Sequence, residues 1–91
     1  MGSNEFIEYC KKMVRFWMNV MNLDPSGEAD IYVVWLSKVL QNNKALLSTT
    51  CLDTRYYEIT YNGDKNEFYF DVYVKELNRV IDRKELEREL K

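Results

Sequence analysis

The stretch Tyr56-Tyr57-Glu58-Ile59-Thr60-Tyr61-Asn62-Gly63-Asp64-Lys65-Asn66-Glu67-Phe68-Tyr69-Phe70-Asp71-Val72-Tyr73-Val74 decides the fold. Two runs rich in aromatic and β-branched residues flank an Asn-Gly pair, the strongest short-range hairpin signal a sequence carries. Alternation puts Tyr57, Ile59, Phe68, Phe70 and Val72 on one face. It puts Glu58, Thr60, Glu67, Tyr69 and Asp71 on the other. A two-residue Asn62-Gly63 loop would set Glu58 opposite Glu67, a like-charge pair that costs stability. A four-residue Asn62-Gly63-Asp64-Lys65 loop sets Ile59 opposite Phe68, Tyr57 opposite Phe70 and Thr60 opposite Glu67, and is preferred. The two registers differ by two residues, so both keep the faces intact.

Upstream, Ile31-Tyr32-Val33-Val34-Trp35-Leu36-Ser37-Lys38-Val39-Leu40 reads as a strand. Its apolar character is nearly continuous, which fits a central strand covered on both faces. A helix competes over Val34 to Leu40, because Leu36, Val39 and Leu40 also fit helical spacing. Gln41-Asn42-Asn43-Lys44 reads as a turn. Ala45 to Cys51 then forms a second strand antiparallel to the first, and Leu52-Asp53-Thr54 connects it to the third.

Asn4 to Asn22 reads as an amphipathic helix, capped by Ser3 or Asn4, with Glu5 and Glu8 near its positive end. Phe6, Cys10, Met13, Trp17 and Val20 form the stripe, widened by Ile7, Val14 and Met21. Phe16 and Met18 fall off it, and Tyr9 lies at its margin. The stripe is expected to pack on the inner face of the hairpin. Leu23 to Asp30 holds the only proline and one of three glycines, so it reads as a loop and the most mobile segment.

Beyond Val74 the period changes. Leu77, Val80 and Ile81 suit a helical turn. Asp82-Arg83-Lys84-Glu85 resembles a capping box, and Leu86 and Leu90 lie four apart. Residues 75–91 are therefore read as a C-terminal helix or helical tail, with a break in phase near Asp82. The expected fold is α+β in one domain. An N-terminal helix packs on a four-stranded antiparallel sheet whose order follows the chain, and a C-terminal helix follows (α-β-β-β-β-α).

Composition narrows the chemistry. The chain has 91 residues, 46% of them hydrophobic, which is enough for a core in one domain. Histidine is absent, and with it the usual neutral-pH base, the commonest metal ligand and every Ser-His or Cys-His nucleophile pair. Cys10 and Cys51 stand far apart without CxxC spacing, so neither zinc nor another cofactor is expected. No run approaches the ~20 apolar residues of a membrane helix. Asp53, Glu58, Asp64, Glu67 and Asp71 are the acid–base candidates, and Glu58 with Glu67 could converge as a carboxylate pair. The simpler reading is a solvated sheet face, and no enzyme activity is expected.

Fifteen acidic and thirteen basic residues give a net charge of −2, which favours neither nucleic acid nor its mimicry. The element order is similar in outline to a double-stranded RNA-binding domain. Such a module needs a basic last helix, whereas 82–91 carries balanced charge. Tyr56, Tyr69 and Tyr73 could stack bases, but they alternate with Glu58, Glu67 and Asp71, which repel phosphate. Aromatic anchors within a polar surround suit a protein partner instead. Tyr56, Glu58, Glu67, Tyr69, Asp71 and Tyr73 are therefore the expected partner-binding residues. Leu86 and Leu90 offer a short seam for a homodimer.

The runs Ile31 to Trp35, Lys38 to Thr50 and Tyr56 to Glu67 resemble a set of short uncharacterised proteins of phages and prophages of Gram-positive bacteria. The resemblance covers roughly residues 31–81 and leaves out 82–91. It implies a phage product working in the bacterial cytoplasm, and it carries over no catalytic residue. The expected function is that of a small accessory protein that binds a host protein, with counter-defence such as anti-CRISPR inhibition as the sharpest form. A nucleic-acid-binding regulator and a virion assembly factor are the alternatives.

Overall fold

The computed structural model describes residues 1–52, 55–76 and 79–90. The expectations placed on Asp53, Thr54 and Leu77 lie outside the described residues. In chain order the elements are α1 (Ser3–Val20), β1 (Ile31–Val39), β2 (Asn42–Thr49), β3 (Arg55–Asn62), β4 (Glu67–Val74) and α2 (Arg83–Glu89). The fold is the α+β arrangement expected, with one antiparallel sheet in the order β1-β2-β3-β4.

Helix α1 starts on Gly2, without a side-chain cap, rather than on Ser3 or Asn4. Its end is a Schellman turn. The Leu23 amide donates to the Met18 carbonyl at 2.9 Å and the Asn22 amide to the Asn19 carbonyl at 3.2 Å. Asn22 takes the left-handed conformation, φ 53°, that this motif needs. Phe6, Cys10, Val14 and Met18 are fully buried. Met18 thus belongs to the core, whereas Val20, placed on the stripe by spacing, is 64% exposed, and Met21 is exposed too. Steps of four along 6-10-14-18 win because the helix meets the sheet along one narrow line. Val20 and Met21 fall outside that line.

The loop after α1 is tied down rather than slack. Arg15 Nη1 donates to Asp24 Oδ2 at 2.8 Å, and Arg15 Nη2 to the Ala29 carbonyl at 2.6 Å. The same carboxylate accepts from the Ala29 amide at 3.0 Å and from the Ser26 hydroxyl at 3.1 Å. These bonds hold the Asp24 carboxyl below the usual carboxylate range, the Arg15 guanidinium first and the Ala29 amide second.

Three corrections concern the strands. First, β1 lies at the sheet edge and is exposed along much of its length, so its continuous apolar run does not mark a central strand. It stays a strand to Val39, without the competing helix. Its register with β2 slips between Val33, opposite Leu47, and Trp35, opposite Leu46. Val34 has no partner, a β-bulge that resets the alternation. Second, the turn is Leu40-Gln41 alone, and β2 begins at Asn42 and ends at Thr49. Leu40 pays for the tight turn with φ 54° and 87% exposure.

Third, the β3–β4 register is two residues away from the preferred one. Asn62 pairs with Glu67, which leaves Gly63-Asp64-Lys65-Asn66 as the loop. Ile59 then faces Phe70, Tyr57 faces Val72 and Thr60 faces Tyr69. Asn62 Oδ1 accepts from the Asp64 and Lys65 amides at 3.1 and 3.2 Å, closing the turn. Asn66 supplies the left-handed residue, and the Tyr61 hydroxyl donates to its Oδ1 at 2.8 Å. The side-chain bonds of Asn62 and Asn66 override the Asn-Gly signal.

The core lies between α1 and the inner sheet face. Ala45, Leu47, Tyr57 and Ile59 are fully buried there, each large apolar side chain worth about 1.5–3 kcal/mol. Phe68, Phe70 and Val72 share this face but are only half buried, because α1 approaches β1 and β2 more closely than β4. Aromatic contacts bridge the difference. Phe6 stacks on Phe68 with centroids 6.4 Å apart, and the Trp17 edge meets Tyr57 at 5.7 Å. Arg55 lies 5.5 Å from the centroid of the Trp17 ring.

The tail departs most from expectation. Residues 75–76 and 79–82 are not helical, and among the described residues of the tail only Arg83–Glu89 forms a helix. Asp82 caps it by accepting from the Glu85 amide at 3.0 Å, as the capping-box pattern requires. Val80 and Ile81 are exposed, so no helical turn gathers them.

Candidate functional site

The outer sheet face, opposite α1, is where the sequence placed its partner-binding residues. The three registers assemble it into rows. Tyr32, Ser48, Tyr56 and Tyr73 form one row across all four strands. Trp35, Leu46, Glu58 and Asp71 form the next, and Ser37, Lys44, Thr60 and Tyr69 the third. Among the described residues, no helix covers this face.

The six expected residues do share the face, but not in the expected grouping. Glu58 and Asp71 are cross-strand partners, and so are Tyr56 and Tyr73. Glu67 sits two rows from Glu58, opposite Asn62, so the carboxylate pair proposed for Glu58 and Glu67 does not form. Four residues of strand separate them, about 13 Å at strand rise. Glu67 instead accepts a 2.8 Å hydrogen bond from the Tyr69 hydroxyl. That bond, above all, raises the Tyr69 pKa from its ordinary value.

Glu58 and Asp71 differ in their surroundings. Lys44 Nζ lies 3.3 Å from Glu58 Oε1 and offsets part of the repulsion between the two acids. Asp71 is exposed and forms no hydrogen bond or ion pair among the described residues. Lys75 reaches back over the Tyr56 ring, 5.8 Å from its centroid. The centre of the face is thus a carboxylate pair with one free member, with tyrosines on both sides along β4.

Tyr32, Trp35 and Leu46 belong to this surface and were missed. Tyr32 and Trp35 lie on the strand that the sequence reading covered on both faces, and Leu46 lies opposite Trp35 on β2. Tyr32 and Trp35 are three apart, a spacing that plain alternation assigns to opposite sides. The unpaired Val34 brings them to the same side. No residue in the run announces a bulge, so their shared face was legible only once the register was known.

No histidine exists in the chain, and the carboxylates of the outer face lie on an open sheet rather than in a cleft. Among the described residues, no three cysteine, aspartate or glutamate side chains gather as a metal site would need. The Cys10 thiol, buried against the sheet, is pushed up to about 12 by desolvation. No helix among the described residues is long and apolar enough to cross a membrane.

Residues 7–83 match the model of a family of unknown function (DUF6275), and the chain belongs to that family. The match takes in most of α1 and the entire sheet and ends at the first residue of α2. No curated protein and no solved structure matches the chain.

Proposed function

We propose that this protein is a non-enzymatic binding module whose outer sheet face engages a protein partner. The observation that carries the reading is the open face itself, where five aromatic side chains (Tyr32, Trp35, Tyr56, Tyr69 and Tyr73) surround Glu58 and Asp71. Rigid aromatic side chains lose little entropy on binding and dominate interface energies, and a carboxylate pair at the centre selects a cation. The partner therefore presents a lysine or arginine to Asp71, framed by apolar or aromatic contacts. The phage setting implied by the resemblance of residues 31–81 goes with a host protein as that partner. Inhibition of a host defence effector is the sharpest form of the reading.

The test is affinity capture from host lysate with and without nuclease, using the full chain and the Tyr69→Ala/Tyr73→Ala and Asp71→Lys variants. A protein retained after nuclease and lost with both variants supports the reading. Nuclease-sensitive recovery favours a nucleic-acid regulator, and co-purification of virion parts favours an assembly factor. A partner that ignores all three substitutions would remove the outer face from consideration.

A further inference from the structure

One helix cannot cover a four-stranded sheet. Helix α1 lies toward β1 and β2, and the inner face of β4 is left half open. Between α1 and β4 runs a groove of about 360 Å³ lined by Tyr9, Lys12, Met13, Phe16, Trp17 and Phe70. Apart from the Lys12 rim the lining is apolar or aromatic. Phe16 stands 71% exposed on its lip, although nothing in the helix itself requires a phenylalanine there.

The same chain carries an apolar element without a seat. Every hydrogen bond and ion pair of α2 shown in the structure lies within residues 79–90. Ile81, Leu86 and Leu90 are exposed, Leu90 to 77%. Leu86 and Leu90 lie one turn apart on one side of the helix, with Glu89 beside them on the flank. Glu89 has no ion-pair partner among the described residues. An isolated helix of two turns is far too short to persist in water, so α2 needs a surface to hold it.

We infer that α2 of a second copy of this chain occupies the groove between α1 and β4, in a symmetric dimer with exchanged C-terminal arms. The fit rests on complementarity of shape and charge. Leu86 and Leu90 supply two adjacent apolar knobs to a groove floored by Phe70 and walled by Met13 and Phe16. Glu89 on the helix flank meets Lys12 on the groove rim. The chain between β4 and α2 counts eight residues, a length that spans at most roughly 26 Å. A two-fold axis makes both exchanges at once, so each chain both gives a helix and receives one. The surface used is the inner side of β4 and not the outer sheet face, so this inference does not depend on the proposed function.

Sedimentation velocity of the full chain over a wide concentration range tests it. The wild type sediments as a dimer that dissociates on dilution. Leu86→Glu/Leu90→Glu, which removes the knobs, and Phe16→Glu, which blocks the groove, each weaken dimerisation at least about tenfold in Kd. All these positions are exposed in the single chain, so circular dichroism of the sheet stays unchanged. Mixing the two variants restores one good arm-and-groove pair and recovers a heterodimer. A monomeric wild type at all concentrations overturns the inference, including the case where α2 seats in its own groove. So does a dimer that survives both variants, or variants that fail to complement one another.

Discussion

Gly63 in the β3–β4 loop lies directly against Gln41 in the β1–β2 turn. A Cβ at position 63 would collide with the Gln41 carbonyl oxygen and come within 2.8 Å of the Gln41 Cβ. The Gly63 amide also donates to Asn42 Oδ1 at 3.3 Å, so two hairpin tips are stapled side by side. Gly63 is needed here for close approach and not for a left-handed backbone. Gly63→Ala should therefore destabilise by about 1–3 kcal/mol, the ordinary cost of overpacking. Urea denaturation checks this, and an unchanged midpoint would show that the tips part at no cost.

Leu40 is the opposite case. It holds φ 54° in a two-residue turn, with its side chain in solvent. A non-glycine residue in that region costs about 1–2 kcal/mol, and little packing compensates. Leu40→Gly should raise stability by about 1 kcal/mol once the added freedom of the unfolded chain is counted. The thermal midpoint is the readout, and a fall would mean that Leu40 packs against something.

Asp24 predicts a pH dependence. Its folded pKa lies below the unfolded value, so near pH 4 the folded state binds fewer protons. The stability that it contributes is fully present above the unfolded pKa and is lost as pH falls through the folded one. Asp24→Asn should lower stability at pH 7 and flatten the acid limb of the stability–pH curve. Parallel wild-type and variant curves between pH 5 and pH 2 would remove the Arg15–Asp24 pair as the cause.

On the outer face, Tyr69→Ala and Tyr73→Ala should weaken partner binding with little loss of stability. Tyr73 gives up one cross-strand neighbour, Tyr56, and Tyr69 gives up its bond to Glu67. Each loss is worth about 0.2–1 kcal/mol. A drop of several degrees beyond that would identify the tyrosines as packing groups.

Cys10 reports on opening of the core. Its thiol is fully buried and has its pKa pushed up to about 12, so the reactive thiolate is scarce and out of reach. Disulfide-exchange reagents should label half-exposed Cys51 first and reach Cys10 only when α1 lifts from the sheet. Peptide mapping against time distinguishes the two thiols, and equal rates would contradict the packing of α1.

The sequence made legible what depends on local pattern. Most of the α1 stripe (Met18, Val20 and Met21 apart), the four strands, the sorting of Tyr57 and Ile59 inward and of Glu58 and Asp71 outward, and the Asp82 cap follow from period and side-chain chemistry. The β3–β4 register was not legible, because a shift by two keeps every face the same and leaves the choice to the bonds of Asn62 and Asn66. Edge position was equally hidden. Ile31 to Leu36 carries the composition of a buried strand yet borders solvent, and only the pairing order shows it. Tyr56, Tyr69 and Tyr73 were found on the outer face, whereas Tyr32 and Trp35 needed the bulge to be known.

The bulge at Val34 acts beyond the surface that it helps to build. β1 is an edge, and an edge strand offers its free amides and carbonyls to any extended chain that arrives. An arriving strand must keep one phase along its length, but the β1 ladder changes phase between Val33 and Trp35. A newcomer can match Ile31 to Val33 or Leu36 to Val39, and not both. Lys38 adds a charge that a dry strand-to-strand contact would have to bury. The insertion that turns Trp35 to the outer face therefore guards the sheet against growing by addition at its first strand, so that an aromatic edge can stay in water without templating aggregation.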